Sequence, residues 1–308
     1  ATKGVDGSDM DSSGRSGDGM KIRDRLPLLA VLCCFSALLL LPEVSAQAAR
    51  DAMLLCAQTL IPSLFPFFVL SSLLVQSDVP RLLSRAMAGV MYPLFGVSGA
   101  GASALILGLL GGYPVGARTV AELYGRGEIA REEAEQLLAF CNNSGPGFFL
   151  GVCGTAVFGS ARAGAYLYLI HVGAALVTGI LLRRDLGLPR RKAVSRQRTP
   201  FDLAAALPAA VQGSFAAVGS VSAFVIFFMV LLRLLSLVPA LAALPPLPRA
   251  ALFGFVEMTN GVNALPATRA GFVLCAAIMN WGGLSVQAQT RALLAGSALS
   301  ARRCVIGK

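Results

Sequence analysis

Two apolar stretches of this chain are interrupted at matching places. Asn142-Asn143-Ser144-Gly145-Pro146-Gly147-Phe148 and Asn280-Trp281-Gly282-Gly283-Leu284-Ser285-Val286 each set asparagine beside glycine where a continuous membrane helix should run. Each follows an earlier interruption. Gly111-Gly112-Tyr113-Pro114-Val115-Gly116 precedes the first, and Glu257-Met258-Thr259-Asn260-Gly261 precedes the second. Irregular backbone in hydrocarbon survives only where protein buries it or where it lines a cavity. Paired interruptions in the two halves of a membrane chain point to a transporter-type binding site.

The membrane setting follows from composition. Only 14% of the 308 residues are charged and 56% are hydrophobic, with a mean hydropathy of +0.70. A soluble domain carries about 25% charged residues. The expected fold is therefore all-α: a polytopic membrane protein with two pseudo-repeats containing broken or re-entrant helices. The net charge of +10 comes largely from membrane-flanking Lys and Arg, so it reports topology and implies no nucleic-acid partner. The partners expected are the lipid bilayer, a small-molecule solute and a coupling proton or sodium ion, with oligomerisation left open. The seven cysteines form no Cys-x-x-Cys pair, and His171 stands alone. Small apolar packing accounts for these cysteines, and neither a metal site nor a cofactor is expected.

Five segments follow from the pattern. Residues 1–20, rich in Gly, Ser and Asp, read as a disordered tail or as sequence upstream of a start at Met20. Residues 21–182 form the first membrane half. It opens with Leu26–Leu41 behind a basic cluster, which reads as a retained first helix or as a cleavable signal peptide. Pro62 and Pro66 should break the stretch 52–76. Residues 120–141, with Glu122, Arg126, Glu128, Arg131, Glu132, Glu133 and Glu135, read as an amphipathic surface helix with a solvated charged face. Residues 183–200 hold seven Lys or Arg against Asp185 and read as a cytoplasmic loop by the positive-inside rule. The second membrane half is 201–290, and 291–308 is a short basic tail.

Aligning Asn142 with Asn280 gives an offset of 138 residues, and at a similar offset Gly116 faces Gly261. Two halves built this way could meet at the midplane. Exposed helix N-termini there favour anionic solute groups, and unwound carbonyls bind cations.

The candidate solute-binding residues are Tyr113, Asn142, Asn143, Ser144, Glu257, Thr259, Asn260, Asn280, Ser285 and Gln287. A carboxylate within an apolar segment costs about 2.5–3.5 kcal/mol on insertion scales and is usually functional. Glu257 could thus bind a coupling proton or cation, or accept a solute donor. The bland alternative is an interfacial residue, or one paired with Arg249 or Arg269. Buried amides offer donors and acceptors without charge, so the asparagines suit a carboxylate or ring nitrogen, or else serve as interhelical glue and caps. Tyr113 and Trp281 could stack an aromatic ring or simply pack. Arg118 either attracts an anion or marks the membrane edge. Gly112, Pro114, Gly116, Gly145, Pro146, Gly261, Gly282 and Gly283 are expected to shape the backbone.

These motifs together resemble the YlbJ family of sporulation integral membrane proteins, which carry the nucleoside-recognition (Gate) domain. Ile61-Pro62-Ser63-Leu64-Phe65-Pro66-Phe67-Phe68, Gly111-Gly112-Tyr113-Pro114-Val115-Gly116-Ala117 and Asn142-Asn143-Ser144-Gly145-Pro146 carry the likeness. Glu132-Glu133-Ala134-Glu135, Glu257-Met258-Thr259-Asn260-Gly261 and Trp281-Gly282-Gly283-Leu284-Ser285-Val286-Gln287 extend it over residues 26–290. The family is similar to concentrative nucleoside transporters in its re-entrant hairpins and broken helices. The resemblance implies a multi-pass protein of the bacterial cytoplasmic membrane, or of the outer forespore membrane during sporulation. It further implies export of a small anionic or heteroaromatic metabolite such as dipicolinic acid, and no enzyme. One departure is Ala130, where a Ser or Thr helix cap is expected.

Two other readings compete with transport. One is a structural component of a sporulation membrane complex. The other is a rhomboid-like protease, because Gly96-Val97-Ser98-Gly99 matches a Gly-x-Ser-Gly pattern whose Ser would need His171 as its base.

Overall fold

The computed structural model describes residues 22–187 and 201–308. The expectations for residues 1–20 and for most of the basic loop 183–200 fall outside them. Residues up to Pro42 form one unit and Glu43–Lys308 another. The first unit contains α1 (Ile22–Leu40), an apolar helix of 19 residues. The rest of this description concerns the second unit, in which both halves of the chain share one body.

Among the described residues, three stretches are long and apolar enough to cross a membrane. They are α8 (Ala161–Leu181), the 33-residue α9 (Leu203–Leu235), and Arg269–Leu294, which comprises α13 (Arg269–Trp281) and α14 (Gly283–Leu294). α8 and α9 are apolar nearly all round. Tyr166, Leu169, Val177 and Leu181 on α8 and Phe215 and Phe227 on α9 point outward, as a lipid solvent requires. The chain is an integral membrane protein with an all-helical fold.

The remaining elements are shorter. α2 (Pro42–Leu55) continues through a π-helical turn (Cys56–Leu60) into α3 (Ile61–Gln76). The break expected at Pro62 and Pro66 is thus absent. The π turn makes the bond from Ile61 N–H to the Cys56 carbonyl, which places Pro62 in the first turn of α3, where its missing donor costs little. α4 (Val79–Phe95) ends on Gly96, in the left-handed conformation.

In the first half, α5 (Gly101–Gly111) and α6 (Val115–Gly125) form a hairpin bent at Gly112–Pro114. α7 (Arg131–Leu138) then leads to the irregular residues 142–145, and a π-helix (Phe148–Val157) precedes α8. In the second half, the short α10 (Pro239–Ala242) precedes a second hairpin. Its arms are α11 (Pro246–Val256) and α12 (Met258–Asn263), bent at Glu257. α13 and α14 follow, and α15 (Arg302–Ile306) closes the chain.

The two hairpins are built alike. A Cβ on Gly116 would strike the Cys141 carbonyl and come within 3.1 Å of the Gly108 Cα. A Cβ on Gly261 would strike the Gly254 backbone. In each hairpin, therefore, two backbones touch across a glycine pair, as small residues allow in lipid.

Two other expectations change. Residues 120–141 are parts of two helices, joined by a turn at 126–130, and their charged face is not all solvated. Glu133 is buried and accepts from Ser98 N–H at 2.6 Å, while buried Gln136 donates to the Leu182 carbonyl at 2.8 Å. α7 is packed on several sides, so polar groups there must find partners inside. Ala130 does occupy the N-cap of α7, without a side-chain cap bond. Residues 291–308 are not a loose tail, for α14 runs on to Leu294 and Cys304 of α15 packs in the core with Leu137 and Leu138.

Candidate functional site

The four interruptions meet at one buried junction. A Cβ on Gly112, which has φ +80°, would lie 2.9 Å from the Gly145 nitrogen. The first hairpin bend therefore rests directly on the first Asn-Gly break. A Cβ on Gly282 would lie 3.1 Å from the Tyr113 hydroxyl, and one on Gly283 would lie 3.1 Å from the Met258 nitrogen and 3.2 Å from the Glu257 Cα. The second Asn-Gly break thus touches both hairpin bends. Gly282 and Gly283 have φ +77° and +80°, a region that side chains with a Cβ rarely adopt.

His171 ties the two Asn-Gly breaks together. Its Nε2 accepts from Ser144 N–H at 3.1 Å, and its Nδ1 lies 3.0 Å from Asn280 Oδ1. The Asn280 amide in turn donates to the Ala276 carbonyl at 2.8 Å. Because a backbone N–H can only donate, Nε2 is the bare nitrogen and Nδ1 carries the proton. The side chain is almost wholly buried, with its ring centre 5.0 Å from that of Phe149. Ser98 therefore has no base: both His171 nitrogens are engaged elsewhere, and Ser98 Oγ has no hydrogen-bond partner. The geometry does not form the Ser–His pair of a protease.

Glu257 caps a helix. Its carboxylate accepts from Thr259 N–H at 3.0 Å, Asn260 N–H at 2.8 Å and the Asn260 amide at 2.9 Å. It sits at the N-terminus of α12, where a negative charge is stabilised. Neither expected arginine pairs with it among the described residues, and Arg249 lies over the Phe253 ring. The N-terminus of α12 is thus already satisfied from within the chain.

The remaining candidates divide into partnered and unpartnered groups. Asn142 donates to Thr290 Oγ1 at 2.9 Å, and Asn143 donates to the Phe140 carbonyl at 2.8 Å. Trp281 donates to the Phe255 carbonyl at 2.9 Å and stacks on the Phe255 ring, so its aromatic face is used in packing. Arg118 pairs with Glu122 at 3.0 Å and donates to the Gly213 carbonyl. It lines a small cleft between α3, α6 and α9 together with Ser71, Ser72 and Thr119. By contrast, Asn142 Oδ1, Ser285 Oγ and Gln287 Nε2 are buried and have no partner. Such groups are rare in folded proteins and each calls for an explanation.

Sequence reasoning missed the linking role of His171, and it missed Thr290 and Gly254. A lone histidine inside an apolar span was itself a signal. The others became visible only when the hairpins closed.

Fold and site define a class: an all-helical, polytopic membrane protein whose broken helices converge on a buried polar junction. Residues 57–231, more than half of the chain, match the Gate family, described as nucleoside recognition, and the chain belongs to that family. It is 29% identical over 291 residues to the sporulation integral membrane protein YlbJ of Bacillus subtilis (strain 168), covering 82% of this chain and 71% of that protein. No solved structure matches.

Proposed function

We propose that this chain is a solute transporter working by alternating access, and that it exports a small anionic or heteroaromatic metabolite such as dipicolinic acid during sporulation. The observation that carries this reading is the convergence of four helix breaks on one buried junction that holds unpartnered polar atoms. Irregular backbone at membrane depth is retained where it forms a binding site. Gln287 Nε2 and the Ser285 hydroxyl offer donors suited to a ring nitrogen and a carboxylate, while Asn142 Oδ1 offers an acceptor for a protonated group. Tyr113, Asn143, Ser144, Thr259, Asn260 and Asn280 surround or shape that junction. The likeness to a sporulation protein supports the cytoplasmic or outer forespore membrane as its place, and the breaks support a coupling proton or sodium ion.

The test is dipicolinate accumulation in a sporulating strain that lacks its own protein of this kind. This chain is supplied as wild type, Ser285→Ala or Gln287→Met at matched membrane levels. Those two side chains have unpartnered polar atoms, so their loss should spare folding. Wild type is expected to restore accumulation and Gln287→Met to lower it about tenfold, the worth of one hydrogen bond to a charged group. Wild type present in the membrane but restoring nothing would remove dipicolinate as the solute. Equal restoration by all three would favour a structural role in a membrane complex.

A further inference from the structure

The cleft between α3, α6 and α9 gathers charge away from the buried junction. Arg118, Glu122 and Arg126 recur every four residues along α6 and its C-cap, so they form one stripe. Both arginines are turned onto main chain. Arg118 Nη1 donates to the Gly213 carbonyl of α9 at 3.2 Å, and Arg126 Nη1 donates to the Val75 carbonyl of α3 at 3.2 Å. Gly213 is a seat for the guanidinium, since a Cβ there would come within 2.7 Å of Arg118 Nη2. Arg118 Nε donates to Glu122 at 3.0 Å, while its Nη2 has no hydrogen-bond partner among the described residues. Among the same residues no carboxylate pairs with Arg126. The stripe therefore carries one positive charge more than its single carboxylate answers.

The setting is that of a lipid headgroup. α9 has 33 residues, roughly 50 Å of helix against a hydrocarbon core of about 30 Å, so it overhangs the core. Gly213 lies roughly 15 Å from the start of α9, and its neighbour Gln212 is exposed. α3 and α6 end together, at Gln76 and Gly125, where the Arg126 bond joins them. Ser71, Ser72 and Thr119 line the cleft beside Arg118. The cleft is too small to enclose a solute, so a ligand meets it at the mouth. On α3, the neighbouring Leu70 and Leu74 are exposed, as surface in contact with acyl chains should be. A guanidinium edge beside hydroxyls matches a phosphate, and basic pockets between membrane helices take anionic headgroups. One excess positive charge matches one phosphodiester. A zwitterionic lipid brings its own ammonium group and gains less.

We propose that Arg118, with Ser71 and Ser72, binds the phosphodiester of an anionic phospholipid at the mouth of this cleft, and that Arg126 adds positive charge at its rim. The acyl chains lie along Leu70 and Leu74. The bound lipid then fastens the second arm of the first hairpin to α3 and α9. This site is separate from the solute junction and stands whether or not the chain transports.

The experiment uses the full chain, delipidated in a non-ionic detergent. The thermal unfolding midpoint is followed as dioctanoyl phosphatidylglycerol, dioctanoyl phosphatidylcholine or glycerol phosphate is added at constant ionic strength. Wild type should gain about 3 °C, with saturation, in phosphatidylglycerol alone. Arg118→Gln should lose most of that gain and Ser71→Ala part of it. Arg233→Gln, on the exposed far end of α9, should keep it all. An equal gain in wild type and Arg118→Gln overturns the proposal, because it would report charge in general. An equal gain in glycerol phosphate overturns the lipid as occupant and leaves a site for free phosphate. Should Arg118→Gln fail to fold, wild type is labelled with a phosphatidylglycerol carrying a photoreactive acyl chain, and the labelled peptides are read by mass spectrometry. Labelling at Leu70–Leu74 that unlabelled phosphatidylglycerol suppresses and phosphatidylcholine does not supports the site. Labelling there that both lipids suppress equally overturns it.

Discussion

The two Asn-Gly regions look alike in sequence and are used differently. At the first, residues 142–145 leave the helix, and the main chain makes the joining contacts: Ser144 N–H to His171, and the Asn142 carbonyl to Lys308. At the second, Asn280 stays within α13, and only the glycine pair Gly282 and Gly283 departs from helical geometry. There the side chain does the joining, through Asn280 Oδ1 to His171. A proline at 146 explains part of the contrast, because the residue before proline avoids the helical region. The second region has no proline, and two successive left-handed glycines interrupt it. One motif thus yields an unwound segment of four residues, and the other a compact joint of two glycines.

This contrast can be broken most forcefully at its shared partner. His171→Ala should cost about 3 kcal/mol, since it leaves Ser144 N–H and Asn280 Oδ1 without partners and opens a cavity against Phe149. A large fall in the unfolding midpoint in detergent is the expected reading, and a change within error would mean that the link carries no energy. Asn280→Ala should follow at about 2 kcal/mol, because it strands the His171 Nδ1–H in the interior. Gly282→Ala should cost about 1 kcal/mol or more, through its left-handed backbone and the close approach of the new Cβ to the Tyr113 hydroxyl, and Gly282→Asn should cost less, measured the same way. Asn142→Ala should cost least, about 0.5 kcal/mol. Thr290 Oγ1 keeps its bond to the Val286 carbonyl, and the orphaned Oδ1 disappears with the side chain. If Asn142→Ala proves worse than Asn280→Ala, the assignment of main-chain and side-chain roles is reversed.

Much of the architecture was legible in the residues. Low charge and long apolar runs gave the all-helical membrane fold, and the Gly-Gly-Tyr-Pro and Glu257 interruptions marked the two hairpin bends. Glycine and proline act locally, so their effect can be read locally. The failures were of two kinds. Pro62 and Pro66 suggested a break, but a π turn upstream placed Pro62 where no donor was needed, and periodicity cannot reveal such a shift in hydrogen-bond register. The charges of 120–141 suggested a solvated face, yet Glu133 and Gln136 are buried because Ser98 and Leu182 arrive from elsewhere in the chain to partner them. Partners distant in sequence carry no local signal. The same holds for His171, whose importance lies in joining Ser144 to Asn280, and for Lys308, which a reading of composition leaves in a basic tail.

The glycine pairs of the two hairpins have a mechanical consequence. Between Gly108 and Gly116, and between Gly254 and Gly261, no side chain is left to compress, so neither hairpin can narrow and neither can open without losing a backbone-to-backbone seam. Each must turn as a stiff lever. The joint beside the second hairpin is the glycine pair Gly282 and Gly283, where two left-handed residues interrupt the helix. Motion in this half of the protein is then set by the torsions of a very few bonds.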